Sequence, residues 1–112
     1  MQEVDINTLC ESYQILGKNV PNDIIIVGKI DKLIIDYMYD FLDLSKVKCK
    51  KIIYCDQNGE SIKNHILPNS LKFLECGENN LTSLPDNLPD SIEILSCYRN
   101  KLTFIPYLPN SL

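Results

Sequence analysis

Apolar residues along this chain follow two rhythms, and the change between them falls near its middle. In the first half they recur at steps of three and four. Ile6, Leu9, Cys10, Tyr13 and Leu16 form one such stripe, with Asp5 or Asn7 placed to cap its start and Gly17 to end it in a left-handed turn, so a short helix is predicted over residues 5–16. Ile24-Ile25-Ile26-Val27 is a β-branched run that predicts a strand, buried on both faces or on one face under a lid. Leu33, Ile34, Tyr37, Met38, Phe41 and Leu42 make a second helical stripe, with Asp36, Asp40 and Asp43 opposite and Asp31 as a cap, and predict a helix over 31–43. A competing reading takes Ile30-x-x-Leu33-x-Ile35 as a decayed strand turn, with Leu33 and Ile35 in register with Ile53 and Cys55 further along. The longer helical stripe outweighs it, and strand, helix and strand from 24 to 55 then form a right-handed crossover.

The second half repeats itself. Leu67-Pro-Asn-Ser-Leu71 returns as Leu88-Pro-Asp-Ser-Ile92 and again as Leu108-Pro-Asn-Ser-Leu112, at nearly equal intervals. Between these marks Leu71-x-x-Leu74-x-Cys76-x-x-Asn79-x-Leu81-Thr-x-Leu84-Pro85 matches Ile92-x-x-Leu95-x-Cys97-x-x-Asn100-x-Leu102-Thr-x-Ile105-Pro106. A period of about 20 residues signals a solenoid, whose single turns cannot bury an apolar face alone. Leu74 and Cys76, two apart on an extended strand, face one side and enter the core, as do Leu95 and Cys97. Asn79 and Asn100 stand where the strand bends away, and their amides are suited to backbone groups that the turn leaves unpaired. Pro85, Pro89, Pro106 and Pro109 predict an extended return path that needs no ladder donors. Ahead of these copies, Ile52-Ile53-Tyr54-Cys55-x-x-Asn58 sets Cys55 and Asn58 one period before Cys76 and Asn79, so a degenerate rung is expected there. The division that follows is a helix–strand–helix cap over 1–49 and repeats over 50–112, one degenerate, two full and one partial.

Composition narrows what such a stack meets. The net charge is -4, and a protein partner suits it better than a phosphate backbone; Lys46-Val-Lys-Cys-Lys-Lys51 reads as a solvated approach to a strand. No apolar run is long enough to span a membrane and the first residues lack a secretion signal, so neither nucleic acid nor membrane is expected and a cytoplasmic location is. Cys55, Cys76 and Cys97 share the repeat's spacing and read as small core residues in a reducing compartment. His65, in the irregular half of a rung, reads as a surface turn residue. With no nucleophile, metal or nucleotide motif beside it, no catalytic residue, cofactor or metal is expected, and the protein reads as a non-enzyme.

The repeated motif, with its Leu-Pro-x-Ser mark, resembles the leucine-rich repeats of about 20 residues found in bacterial secreted effectors and in giant viruses of amoebae. The resemblance covers Leu67 to Leu112 well, Lys50 to Asn58 partly and the stretch before Lys50 not at all. It implies an α/β leucine-rich-repeat solenoid with parallel strands on the concave face and a helical N-terminal cap. It also implies protein binding, in the host cytoplasm or the virion if the source is viral. Effector relatives often carry a ubiquitin-ligase domain, which would make these repeats the substrate-recognition part of a larger protein.

Residues between the inward positions point outward from the strands. That places Ile52 and Tyr54 on one rung, Phe73 and Glu75 on the next, and Ile94, Ser96, Tyr98 and Arg99 on the third, as the expected protein-binding face. The alternative is a structural role, with rungs stacking into homo-oligomers through an open C-terminal edge.

Overall fold

Parallel pairing, and not helical periodicity, governs the first half of the chain. The computed structural model describes residues 1–103 and 105–112, and in it the chain winds as a solenoid of about five turns with very little helix. The elements in chain order are β1 (Gln2–Asp5), α1 (Ile6–Leu9), β2 (Ile24–Ile35), β3 (Val47–Tyr54), β4 (Asn58–Gly59), β5 (Phe73–Glu75), β6 (Asn80–Leu81) and β7 (Ile94–Ser96). Five of them form a parallel sheet in the order β1-β2-β3-β5-β7, and β4 pairs with β6 in a small second sheet. We number the turns as rungs 1 to 5 by their strands in that sheet.

Neither helix expected in the first half forms at its expected length. The predicted helix over 5–16 shrinks to Ile6–Leu9, capped by the Asp5 carboxylate, which accepts from the Asn7 amide at 2.8 Å. After it the chain turns back on itself. Cys10 and Leu16 form an antiparallel bridge, and Tyr13 and Gln14 at the tip both have positive φ, as in the primed turns of tight hairpins. Gly17 is not left-handed; its place is a close approach, since a Cβ there would meet the Leu9 carbonyl oxygen at 2.9 Å.

No helix forms over 31–43. Ile30, Leu33 and Ile35 enter the core from β2, and Leu33 pairs with Ile52 of β3, Ile34 with Ile53 and Ile35 with Tyr54. The competing rung reading is the observed one, with Leu33 beside Ile52 and not Ile53. Three residues of the helical stripe, Tyr37, Met38 and Phe41, are exposed instead of buried. A neighbouring strand pairs the backbone of Leu33–Ile35 while burying alternate side chains, and the β-branched Ile34-Ile35 favours that solution over a lone amphipathic helix.

One spacing rule recurs in four rungs. Ile30-x-x-Leu33-x-Ile35, Cys49-x-x-Ile52-x-Tyr54, Leu71-x-x-Leu74-x-Cys76 and Ile92-x-x-Leu95-x-Cys97 supply the inward positions. All are buried except Leu95 and Cys97, which are partly buried against the same core. The step of three between the first two positions spans a bend, the first corner, which lies inside β2 and β3 and just ahead of β5 and β7, and the step of two after it is strand. Each buried Leu or Ile contributes roughly 1.5–3 kcal/mol relative to exposure.

Side-chain hydrogen bonds tie the rungs together at two levels. At the first corner the Pro-x-Ser-Leu mark makes one turn three times: Leu71, Ile92 and Leu112 donate their amides to the carbonyls of Pro68, Pro89 and Pro109, each at 3.2 Å. The serine inside each turn donates back to the preceding rung, Ser70 to the Cys49 carbonyl at 3.3 Å, Ser91 to Leu71 at 2.6 Å and Ser111 to Ile92. At the second corner Asn79 donates to the carbonyls of Tyr54, Cys76 and Gly77 and accepts from the Gln57 amide at 2.9 Å, and Asn100 donates to Cys76, Cys97 and Tyr98. The turn role expected for both asparagines is the one they have. Gln57 fills their place in rung 3 and reaches the carbonyls of Tyr37 and Cys55.

Candidate functional site

The face that the sheet turns outward is built by default, because the inward spacing leaves fixed positions pointing away from the core. Hydrogen-bonded neighbours on it run across the rungs in rows. Lys32, Lys51, Phe73 and Ile94 form one row, and Ile34, Ile53, Glu75 and Ser96 the next. Adjacent members lie one strand spacing apart, about 4.8 Å.

Of the eight residues expected on this face, six lie outside the core and two do not. Phe73 and Ile94 are cross-strand neighbours, 38% and 53% exposed, and Glu75 and Ser96 sit side by side in the next row. Tyr98 is 51% exposed and its ring lies over Gly77, where a Cβ would collide with it. Gly77 is thus the gap that admits the ring. Arg99 stands beyond, paired with Glu78 at 3.5 Å on the surface.

Ile52 and Tyr54 are corrections. They are 0% and 2% exposed and occupy the inward positions equivalent to Leu74 and Cys76. The shared Cys and Asn suggest that Cys55 stacks on Cys76, but the observed pairing sets Ile52 against Leu74 and shifts the register by one. A slip of one residue exchanges the two faces of a strand. Lys51 and Ile53 therefore take the outward places, and Cys55, expected in the core, lies at the position of Gly77 and is only partly buried. The Leu-x-x-Leu-x-Cys spacing, applied to Cys49-x-x-Ile52-x-Tyr54, would have found this register from sequence. The identities of Cys55 and Asn58 conceal it.

His65 is also placed differently from expectation: it is buried. Its Nδ1 meets the Tyr54 hydroxyl at 2.8 Å and its Nε2 meets the Tyr39 carbonyl at 3.0 Å. A carbonyl can only accept, so Nε2 carries the proton and Nδ1 accepts from Tyr54. Burial holds the imidazole below its ordinary pKa, against the opposing pull of the Tyr39 carbonyl, and the same burial raises the Tyr54 phenol. Both ring nitrogens are committed, and the arrangement acts as an internal staple between Tyr54 and the Tyr39 backbone. The Tyr39 hydroxyl in turn donates to the Leu16 carbonyl at 3.0 Å, tying rung 1 to the return path of rung 2.

Two of the thiols lie fully in the core. Burial raises Cys49 to about 11 and Cys76 to about 12, so both stand as protonated core groups. Among the described residues no group of three or more His, Cys, Asp or Glu comes together to hold a metal ion. Two grooves lie away from the strand face, on the return paths. Val20, Ile24, Tyr37, Met38 and Phe41 line one, and Lys63, Asn64, Asp86, Asn87 and Asp90 the other. Among the described residues no helix is long and apolar enough to cross a membrane. No family model, curated protein or solved structure matches the chain.

Proposed function

We propose that the chain is a short leucine-rich-repeat-type interaction module, without enzymatic activity, that binds a protein partner through the outward face of its strands. The observation that carries this reading is the adjoining exposed pair Phe73 and Ile94 on that face, with the exposed Tyr98 beyond the Glu75–Ser96 row. Exposed apolar groups that adjoin one another mark contacts, and aromatic side chains supply most of the energy in them. Their support is rigid, since Phe73 and Ile94 are fixed by strand pairing and Tyr98 by its seat on Gly77. The leucine-rich assignment is supported by the inward spacing, by the asparagines at the second corner and by the parallel strands. Affinity capture with the wild type and with Phe73→Asp plus Tyr98→Asp tests the face: the double variant loses the partner while keeping its melting temperature. Equal retention removes the reading.

Self-association is a second reading, favoured by the incomplete burial of rung 5. Leu95, Cys97 and Leu102 are only partly buried where their counterparts Leu74, Cys76 and Leu81 are fully so. Light scattering of the 112-residue chain decides it. A mass that stays monomeric at high concentration ends the idea.

A further inference from the structure

The proposed face has a second component that the apolar patch does not explain. Lys32 lies directly opposite Lys51 in the row of Phe73 and Ile94, and Lys29 directly opposite Lys48 just ahead of the first corner. Lys50 adds a fifth, at the corner between them. Asp31 is the only carboxylate in β2 or β3, in a protein with 15 acidic residues and a net charge of -4. Among the described residues the ion pairs are Lys63–Glu60, Lys72–Glu93 and Arg99–Glu78, so none involves these five lysines.

Like charges set opposite one another across two strands are destabilising. Lysine on an edge strand guards against unwanted pairing, and β1 covers only Ile24–Val27 of β2, but Lys51 is flanked by Lys32 on one side and Phe73 on the other. Edge protection therefore does not account for the Lys32–Lys51 pair. Moreover, the lysines continue into the apolar patch, because Lys51 is the paired neighbour of Phe73 and Phe73 of Ile94. One row thus reads base, base, apolar, apolar across four rungs.

We infer that the lysine pairs of β2 and β3 dock an acidic polypeptide segment whose apolar or aromatic residues reach Phe73 and Ile94. The inference rests on the strand-face reading above and gives its partner a chemistry. Carboxylates from the partner relieve the lysine–lysine repulsion that the free protein carries, and the order of the row sets the direction in which the segment lies. A phosphate-rich strand could meet the lysines but has no match for the adjoining apolar half of the row.

The test uses a dye-labelled glutamate–tyrosine copolymer as probe, with plain polyglutamate, a thymidine oligonucleotide and phosphatidylserine vesicles as comparators, followed by fluorescence anisotropy or cosedimentation. The copolymer is expected to bind more tightly than the other three, and its affinity to fall with added salt. Lys32→Glu plus Lys51→Glu weakens it about tenfold or more. Because each lysine removed relieves a like-charge contact, Lys32→Glu alone melts no lower than the wild type and still binds the copolymer less well, which separates lost binding from lost folding. Unchanged affinity in the double variant, or tighter binding of the oligonucleotide or the vesicles, overturns the inference. A loss in Phe73→Ser plus Ile94→Ser with no loss in the lysine variants leaves the strand-face reading standing and removes the acidic partner. The reverse result keeps the acidic docking site and removes the apolar anchor.

Discussion

Rung 3 sends Cys49, Ile52 and Tyr54 into the core where rung 4 sends Leu71, Leu74 and Cys76, and the two sets stack on each other. A small residue at the first position of rung 3 lies beside a large one in rung 4, and at the third position the order is reversed. Volume is shared between neighbours instead of being repeated, as close packing requires. The second corner tells a similar story. Asp56 and Glu78 both take a positive φ there, 56° in each, and Gln57 does with a longer side chain what Asn79 does in the next rung. What rung 3 needs and rung 4 does not is a partner for a buried hydroxyl. Tyr54 brings one into the interior, and His65 answers it, whereas Cys76 makes no such demand. A degenerate rung keeps the geometry by compensating within itself.

Truncation of the inward residues tests that equivalence most severely. Ile52→Ala and Leu74→Ala are each expected to cost about 2–5 kcal/mol in denaturant unfolding, as buried large-to-small changes do. Ile53→Ala, at a half-buried outward position, stays well below either. With rungs 3 and 4 aligned by Cys55 on Cys76 the order of Ile52 and Ile53 would invert, so the pair of measurements checks the register directly.

A smaller effect separates the two rungs at their third position. Tyr54→Phe leaves His65 Nδ1 buried without its donor, at an expected cost of about 1–3 kcal/mol. The same site shapes the response to pH. Burial keeps the folded pKa of His65 below its ordinary 6.5, so the unfolded chain takes up this proton at higher pH than the folded one. The stability contributed is whole above about 6.5 and is lost as pH falls from there toward the folded value. Melting temperatures measured between pH 7 and pH 5 should decline in the wild type and decline less in His65→Gln. Equal slopes would show that the buried imidazole does not couple folding to protons.

The repeats can be read from sequence because they are periodic: Leu71, Leu74, Cys76 and Asn79 recur with the same spacing in Ile92, Leu95, Cys97 and Asn100. Their inward direction and the outward placement of Phe73, Glu75, Ile94 and Ser96 follow from strand alternation, and the turn role of the asparagines from their amides at the strand's end. Ile52 and Tyr54 escape that logic because identity at Cys55 and Asn58 is weaker evidence than apolar spacing, and one residue of slip is enough to exchange core and surface. The hairpin at Tyr13-Gln14 carries no readable signal, since primed turns normally announce themselves with Asn or Gly. His65 looks like a surface group in sequence because the hydroxyl that calls it inward belongs to a different part of its rung.

A repeated apolar spacing can be buried only by stacking copies on one another, so the parallel-strand solenoid and its pitch follow from residue order alone. That Ile24 to Ile35 is one strand, and that 31–43 holds no helix, was settled by packing against a neighbour. Its local stripe satisfied a helix equally well, and what tipped the balance was a neighbour, β3, that could pair along the strand's second half. The lysine pairs belong to the same category. Lys29 and Lys48 stand far apart in sequence and become neighbours only when the strands align.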